Sequence, residues 1–139
     1  MTFTKEQLFF YKLKKDKPWY IENFLKIRDK SATIVPFKLN NAQRKVMGIM
    51  KEDEKQGKPK RYIVLKARQM GLSTLFEGLI FQDTSTYENK NSLIIAHEEQ
   101  ASSNLFNMSK LYYENIPEMI RPMKKYANGK VLQFENPTN

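Results

Sequence analysis

The sequence predicts an α/β layer fold, an incomplete parallel sheet preceded by a helical lead-in over residues 1–35. Three observations carry that expectation. Two short apolar runs, Tyr62-Ile63-Val64-Leu65 and Ser92-Leu93-Ile94-Ile95-Ala96, have the length and uninterrupted apolarity of strands buried on both faces. Segments with helical apolar spacing follow each of them, and a third short run closes the series. Strand, helix, strand, helix, strand implies parallel pairing through right-handed crossovers. Finally, 139 residues suffice for one compact core.

Taken in order, Thr4-Lys5-Glu6-Gln7 fits a capping box, and Leu8, Phe9 and Leu13 make the helix after it amphipathic. Asp16-Lys17-Pro18 opens a second helix, with Trp19, Phe24 and Ile27 or their neighbours turned inward. Ser31 to Leu39 reads as extended, since Pro36 stops a helix. Asn40 can cap a third helix, in which Ala42, Val46, Ile49 and Met50 recur at helical spacing. Glu52 to Lys60 reads as a charged loop. After Tyr62–Leu65 and a glycine-bearing turn comes a helix from about Ser73 to Gln82, with Leu75, Leu79 and Ile80 on one side. After Ser92–Ala96, the residues Leu105, Met108, Leu111, Tyr112 and Ile116 define another helix, closed by Pro117. Asn128-Gly129 is a turn signal before a strand from Val131 to Phe134.

Composition excludes several classes. There is no cysteine and one histidine, so disulfides, thiolate metal sites and histidine clusters are out. Lys or Arg interrupts every apolar stretch before it reaches the length of a membrane span, and Met1 to Asp16 lacks a secretory h-region. The cytoplasm is the expected location. Net charge is +9, but 18 of the 24 Lys and Arg fall in residues 1–70, against 7 acids. A basic half beside a near-neutral one points to a polyanionic partner, a nucleic acid or nucleotide. A solvated lysine-rich surface explains the same numbers.

The chemistry lies in one loop. The run Tyr62–Leu65 leads straight into Lys66-Ala67-Arg68-Gln69-Met70-Gly71-Leu72-Ser73-Thr74. A phosphate-binding loop has the form G-x-x-x-x-G-K-[ST] between a strand and a helix. Gly71 and Ser73 fit the end of that pattern, while Lys66 replaces its first glycine and Leu72 its lysine. The physics requires backbone N–H groups converging on phosphate at a helix N-terminus, a hydroxyl for Mg²⁺ and a cation near the terminal phosphates. Gly71 allows the close approach, Ser73 supplies the hydroxyl and Thr74 a further donor. Lys66 or Arg68 must supply the cation from the loop's entrance. An ordinary strand–turn–helix with a basic cluster is the plain alternative.

Residues 67–74 also resemble the phosphate loop of terminase large subunits, the ATPases that package phage DNA, in the version whose lysine has moved to the loop's start. Phe37-Lys38-Leu39-Asn40-Asn41-Ala42-Gln43 resembles that family's adenine-recognising Q motif, and Leu93-Ile94-Ile95-Ala96-His97 its following strand segment. The resemblance covers roughly residues 18–116. It implies a P-loop NTPase-like fold, ATP and Mg²⁺ as cofactors, and double-stranded DNA, a small terminase subunit and a portal or procapsid as partners, in an oligomeric motor. By the same resemblance Lys66 is the phosphate cation, Arg68 senses the γ-phosphate, Ser73 holds Mg²⁺ and Gln43 meets adenine. The segment Ala67-Arg68-Gln69-Met70-Gly71-Leu72-Ser73-Thr74 lines the nucleotide.

Each of these has a plainer reading. Gln43 stands where a capping residue belongs, Arg68 can pair with an acid such as Glu77, and His97 at a strand end suits a structural hydrogen bond. Trp19 and Phe9-Phe10-Tyr11 suit core or interface. Hydrolysis also needs an acidic pair at a strand end. Glu98 and Glu99 read instead as helix-start charges, and Glu135 is a lone acid. The family carries that pair, and a nuclease domain, further along than Asn139. Residues 36–139 are therefore expected to be the N-terminal portion of the ATPase domain, lacking turnover alone. Two other readings remain open: a superfamily-2 helicase-like ATPase fragment, and a non-catalytic basic nucleic-acid-binding or inhibitory protein derived from such a fold. With the lysine merely moved, Leu72→Lys is expected to rescue loss of Lys66.

Overall fold

The computed structural model describes residues 4–135. In chain order these form α1 (Lys5–Lys15), α2 (Lys17–Phe24), β1 (Lys26–Arg28), β2 (Ile34–Pro36), α3 (Asn41–Lys55), α4 (Leu72–Thr86), α5 (Glu99–Asn115), a 3-10 turn (Glu118–Ile120), β3 (Lys124–Ala127) and β4 (Leu132–Phe134). The fold is mixed α/β, with five helices and two small antiparallel sheets.

The helix starts follow their caps. Thr4 and Gln7 form the expected box, each side chain bonding the other's backbone N–H. Asp16 caps α2 through Trp19 N–H, with Pro18 in the first turn, where a missing N–H costs nothing. Asn40 and Gln43 form a second box on α3, which continues through the charged stretch to Lys55 rather than ending near Met50. Helix α4 likewise runs four residues past Gln82. Its terminal hydroxyls remain satisfied there, since Thr84 Oγ1 donates to the Ile80 carbonyl and Thr86 Oγ1 to that of Gln82.

Helix α4 is the centre of the molecule, packing against α1, α2, α3 and α5. Leu75, Leu79 and Phe81 of α4 meet Leu13, Tyr20, Ile21, Leu25, Phe37, Tyr112 and Ile116 in one core. The helices of the lead-in and the residues after 36 therefore share that core. At Gly78 a methyl group would stand 3.2 Å from Leu25 Cδ1, so the absent side chain lets α2 and the segment after β2 approach α4. Gln82, fully buried, ties α1 down by donating from Nε2 to the carbonyls of Leu13 (2.8 Å) and Lys14 (3.1 Å). Lys17 and Asp83 form an ion pair at 2.6 Å beside it. The inward aromatics of the lead-in are a cluster, with Phe9, Trp19 and Phe24 meeting edge to face.

The sheets depart from the expectation. Ile27 belongs to β1, which pairs antiparallel with β2 through Ile27↔Val35, instead of extending α2. The strand at 132–134 is present, but pairs antiparallel with β3, which carries no apolar run that would announce it. Tyr62–Leu65 and Ser92–Ala96 are strands of neither sheet, and no parallel pairing occurs among the described residues. Ile63 and Leu65 are fully exposed, and Leu93 and Ile95 are 81% and 82% exposed. The backbone of residues 62–69 makes no hydrogen bond among the described residues. The physical reason is that an apolar run records which side chains favour burial, not which neighbours bury them. A strand apolar on both faces needs a layer on each side and strands to pair with; Val46, Ile49 and Met50 of α3 line a pocket with residues 62–65, but no described strand pairs with either run.

Candidate functional site

Helix α4 begins at Gly71, whose φ of +69° puts it in the left-handed region, and no side chain caps the helix. Gln69, two residues earlier, is also left-handed, at φ +62°. The chain thus turns sharply twice before entering the helix. The N–H groups of Gly71, Leu72, Ser73 and Thr74 have no hydrogen-bond partner among the described residues. Unpaired N–H groups at the start of a fifteen-residue helix form the positive end of its dipole.

The turn is held from α3. Asn40 Nδ2 donates to the Met70 carbonyl at 3.2 Å, and Gln43 Nε2 donates to the Gly71 carbonyl at 2.7 Å. The same two side chains close the capping box with their oxygens, Asn40 Oδ1 accepting from Gln43 N–H and Gln43 Oε1 from Asn40 N–H. Each amide therefore has a donor partner on its oxygen and an acceptor partner on its nitrogen, which fixes its orientation. Gln43 is 3% exposed, with its oxygen and its nitrogen each engaged by backbone. A methyl group at Gly71 would stand 2.8 Å from Gln43 Nε2.

The other loop residues divide cleanly. Lys66, Ala67, Arg68 and Gln69 are exposed, and neither Lys66 nor Arg68 has an ion pair or hydrogen bond among the described residues. Ser73 is exposed, Thr74 and Met70 half-buried. Leu72 is 4% exposed and belongs to the core. A lysine at position 72 would have to enter that core, so rescue by Leu72→Lys is not expected. Geometry, not only composition, keeps a cation away from position 72.

Glu77 lies one turn beyond Ser73, but faces α5 rather than the loop. It is 2% exposed and accepts from Ser109 Oγ at 2.5 Å. The suggested pairing with Arg68 is absent. Tyr112 of α5 donates to the Thr74 carbonyl at 3.2 Å and fastens the first turn of α4 from the other side. Burial raises the Glu77 carboxyl above its ordinary value, and the Ser109 bond offsets part of that. The Tyr112 hydroxyl is raised too, by burial and then by the charge of Glu77.

A carboxyl with a raised folded-state pKa keeps its proton in the fold where the unfolded chain has lost it, so stability falls as pH rises through that window. Glu77→Gln should therefore raise the urea midpoint at pH 7 and gain little or nothing near pH 4. An equal gain at both pH values would show that the carboxyl's charge is not the cause.

His97 is exposed and stands near Glu98 at 3.6 Å. Glu98 and Glu99 open α5, as expected, and Glu99 pairs with Lys130 at 3.0 Å. No group of three potential metal ligands occurs among the described residues, and no described helix is long and apolar enough to cross a membrane. Sequence reasoning missed the second use of Asn40 and the anchors Ser109 and Tyr112. The signal for Asn40 was available: a capping oxygen leaves the amide's nitrogen free to bond elsewhere. No protein-family model matches the sequence, and no curated protein matches it.

Proposed function

We propose that this chain carries the nucleotide-binding part of a P-loop motor ATPase of the terminase large-subunit kind. In that reading residues 66–74 cradle the phosphates of Mg·ATP, Lys66 supplies the displaced cation, Arg68 meets the γ-phosphate as charge develops, and the Ser73 hydroxyl enters the magnesium shell. Hydrolysis would drive packaging of double-stranded DNA, with the small terminase subunit and the portal or procapsid as further partners. The observation that carries the reading is the start of α4: on nine residues of chain, four N–H groups and two exposed cations, Lys66 and Arg68, have no partner among the described residues, and no side chain caps the helix dipole.

The reading requires Tyr62–Leu65 and Leu93–Ala96, which flank the loop and α4 in sequence, to lie in one parallel sheet; among the described residues neither run is paired, which counts against it.

Mg²⁺ binding in such a site needs an acid besides Ser73, and the acid one turn on, Glu77, is engaged with Ser109. Affinity is accordingly expected to be low. Calorimetric titration with Mg·ATP should give a Kd of about a millimolar, with Lys66→Ala weaker by roughly tenfold. Micromolar binding with turnover would mean that Glu98, Glu99 or Glu135 serves as a working acid. Unchanged binding in Lys66→Ala would end the displaced-lysine assignment.

A further inference from the structure

Four of the six Lys and Arg beyond residue 70 fall within residues 121–130, which hold no acid. The fold gathers them about one hairpin. In β4, Leu132 and Phe134 are half-buried and Gln133 is exposed, while β3 is exposed along its whole length. Phe134 stacks on Tyr113 of α5, so the inner face is taken up by packing. A bulge sets Lys125 and Tyr126 together opposite Gln133. Cross-strand partners share a face, so the Tyr126 ring lies outward, 52% exposed.

That ring is held in place. Its hydroxyl accepts from Asn128 Nδ2 at 3.0 Å, and Asn128 Oδ1 accepts from the N–H groups of Lys130 and Val131, both at 2.7 Å. Cations surround it. Lys125 is exposed beside the ring, and Lys124 reaches the inner margin, with Nζ 5.7 Å from the centre of the Tyr113 ring. There Lys124 and Lys110 of α5 line an open groove of about 320 Å³, with Glu114 as its one carboxylate. Neither Lys124 nor Lys125 has an acidic partner among the described residues. Lys130 does meet Glu99, but both side chains are 79% exposed, where an ion pair yields readily to a competing anion.

We infer that the outer face of the β3–β4 hairpin, with the adjoining groove on α5, binds a single strand of nucleic acid. A base stacks on the Tyr126 ring, and phosphates on either side of it meet Lys125 and, along the groove, Lys124 and Lys110. Lysines alone attract any polyanion, and the exposed, fixed ring is what selects an unstacked base, since a duplex hides its base faces. The Asn128 oxygen is already engaged twice by backbone, so that acceptor is not free to read a sugar hydroxyl, and DNA and RNA strands should bind alike. The inference uses none of the residues of the phosphate loop, so its failure leaves that reading untouched.

Fluorescence anisotropy of a labelled oligothymidylate of about twelve nucleotides, titrated with the full chain, tests it. The wild-type chain should bind with a Kd of about 10–100 μM at physiological salt, and an oligouridylate of equal length within about threefold of that. Tyr126→Leu should weaken binding roughly tenfold, and Tyr126→Phe, which keeps the ring, by less than about twofold. Replacing Lys124 and Lys125 together by Gln should weaken binding and flatten the dependence of log Kd on log salt by about one unit. Lys51→Gln, at an exposed cation of α3, should change neither. The amide signals of Asn128 and Val131 confirm the hairpin in each variant. The matching duplex should bind more weakly and ignore Tyr126→Leu. Unchanged affinity in Tyr126→Leu with the hairpin intact would overturn the inference, as would a duplex bound as tightly as the single strand. An equal loss in Lys51→Gln would reduce the effect to overall charge and overturn it too, and so would the absence of binding by the wild-type chain.

Discussion

Gly71→Ala is expected to abolish detectable polyphosphate binding and to lower the stability of the fold by about 1–3 kcal/mol. Two costs combine. The backbone there is left-handed, at φ +69°, where an alanine is strained. The new methyl would also lie 2.8 Å from Gln43 Nε2 and 3.5 Å from Asn40 Nδ2. Gln43 cannot simply swing aside, because it is buried and its amide caps α3 while it holds the loop. Relief comes either by breaking the bond to the Gly71 carbonyl or by rotating the peptide, and both misdirect the N–H groups. Paired urea melts and tripolyphosphate titrations check this. An alanine variant that binds as well as wild type would show that the left-handed turn has no part in binding.

Phe81→Ala should be the most destabilising of the single changes considered, by about 3–5 kcal/mol. Phe81 is 1% exposed at the junction of three elements. Its ring meets Tyr112 of α5 edge to face, with centroids 5.6 Å apart, and Phe134 of β4 at 6.1 Å. Phe134 in turn stacks on Tyr113 at 5.5 Å. Truncation would leave a ring-sized void beside the contact that carries the terminal hairpin, so the hairpin amides should lose exchange protection before the core does. For a domain whose whole stability is of order 5–15 kcal/mol, such a loss brings unfolding within reach of mild heating. Equilibrium denaturation measures it directly, and a loss below about 1 kcal/mol would contradict the assignment of Phe81 to the core.

What the sequence made legible was whatever is governed by short-range chemistry. Thr4, Asp16 and Asn40 mark three helix starts because each cap is decided within four residues. The apolar spacing of α4 and α5 identified Leu75, Leu79 and Tyr112 as inward-facing, since a helix carries its own hydrogen bonds. Strands do not, and there the reading departed from the structure. Tyr62–Leu65 has the composition of a buried strand, but its partners cannot be read from its own residues. Lys124–Ala127, exposed and with no apolar run, forms a strand because a turn at Asn128 folds it against Leu132–Phe134. At the candidate site the loop's residue types were legible, as was the absence of a lysine at position 72. That Leu72 is buried, and that Gln43 grips the Gly71 carbonyl, depends on how α3 lies against α4, which no local pattern encodes.

A complete map of amide shifts on adding Mg·tripolyphosphate tests most directly whether residues 66–74 form the proposed phosphate-binding loop. For such a loop the largest shifts should fall on residues 70–74, with smaller ones at Lys66 and Arg68, and should saturate together along one curve. Shifts spread over the lysines of α1 and α3, unsaturating and suppressed by moderate salt, would describe a basic surface collecting anions, and would contradict a built site at the head of α4.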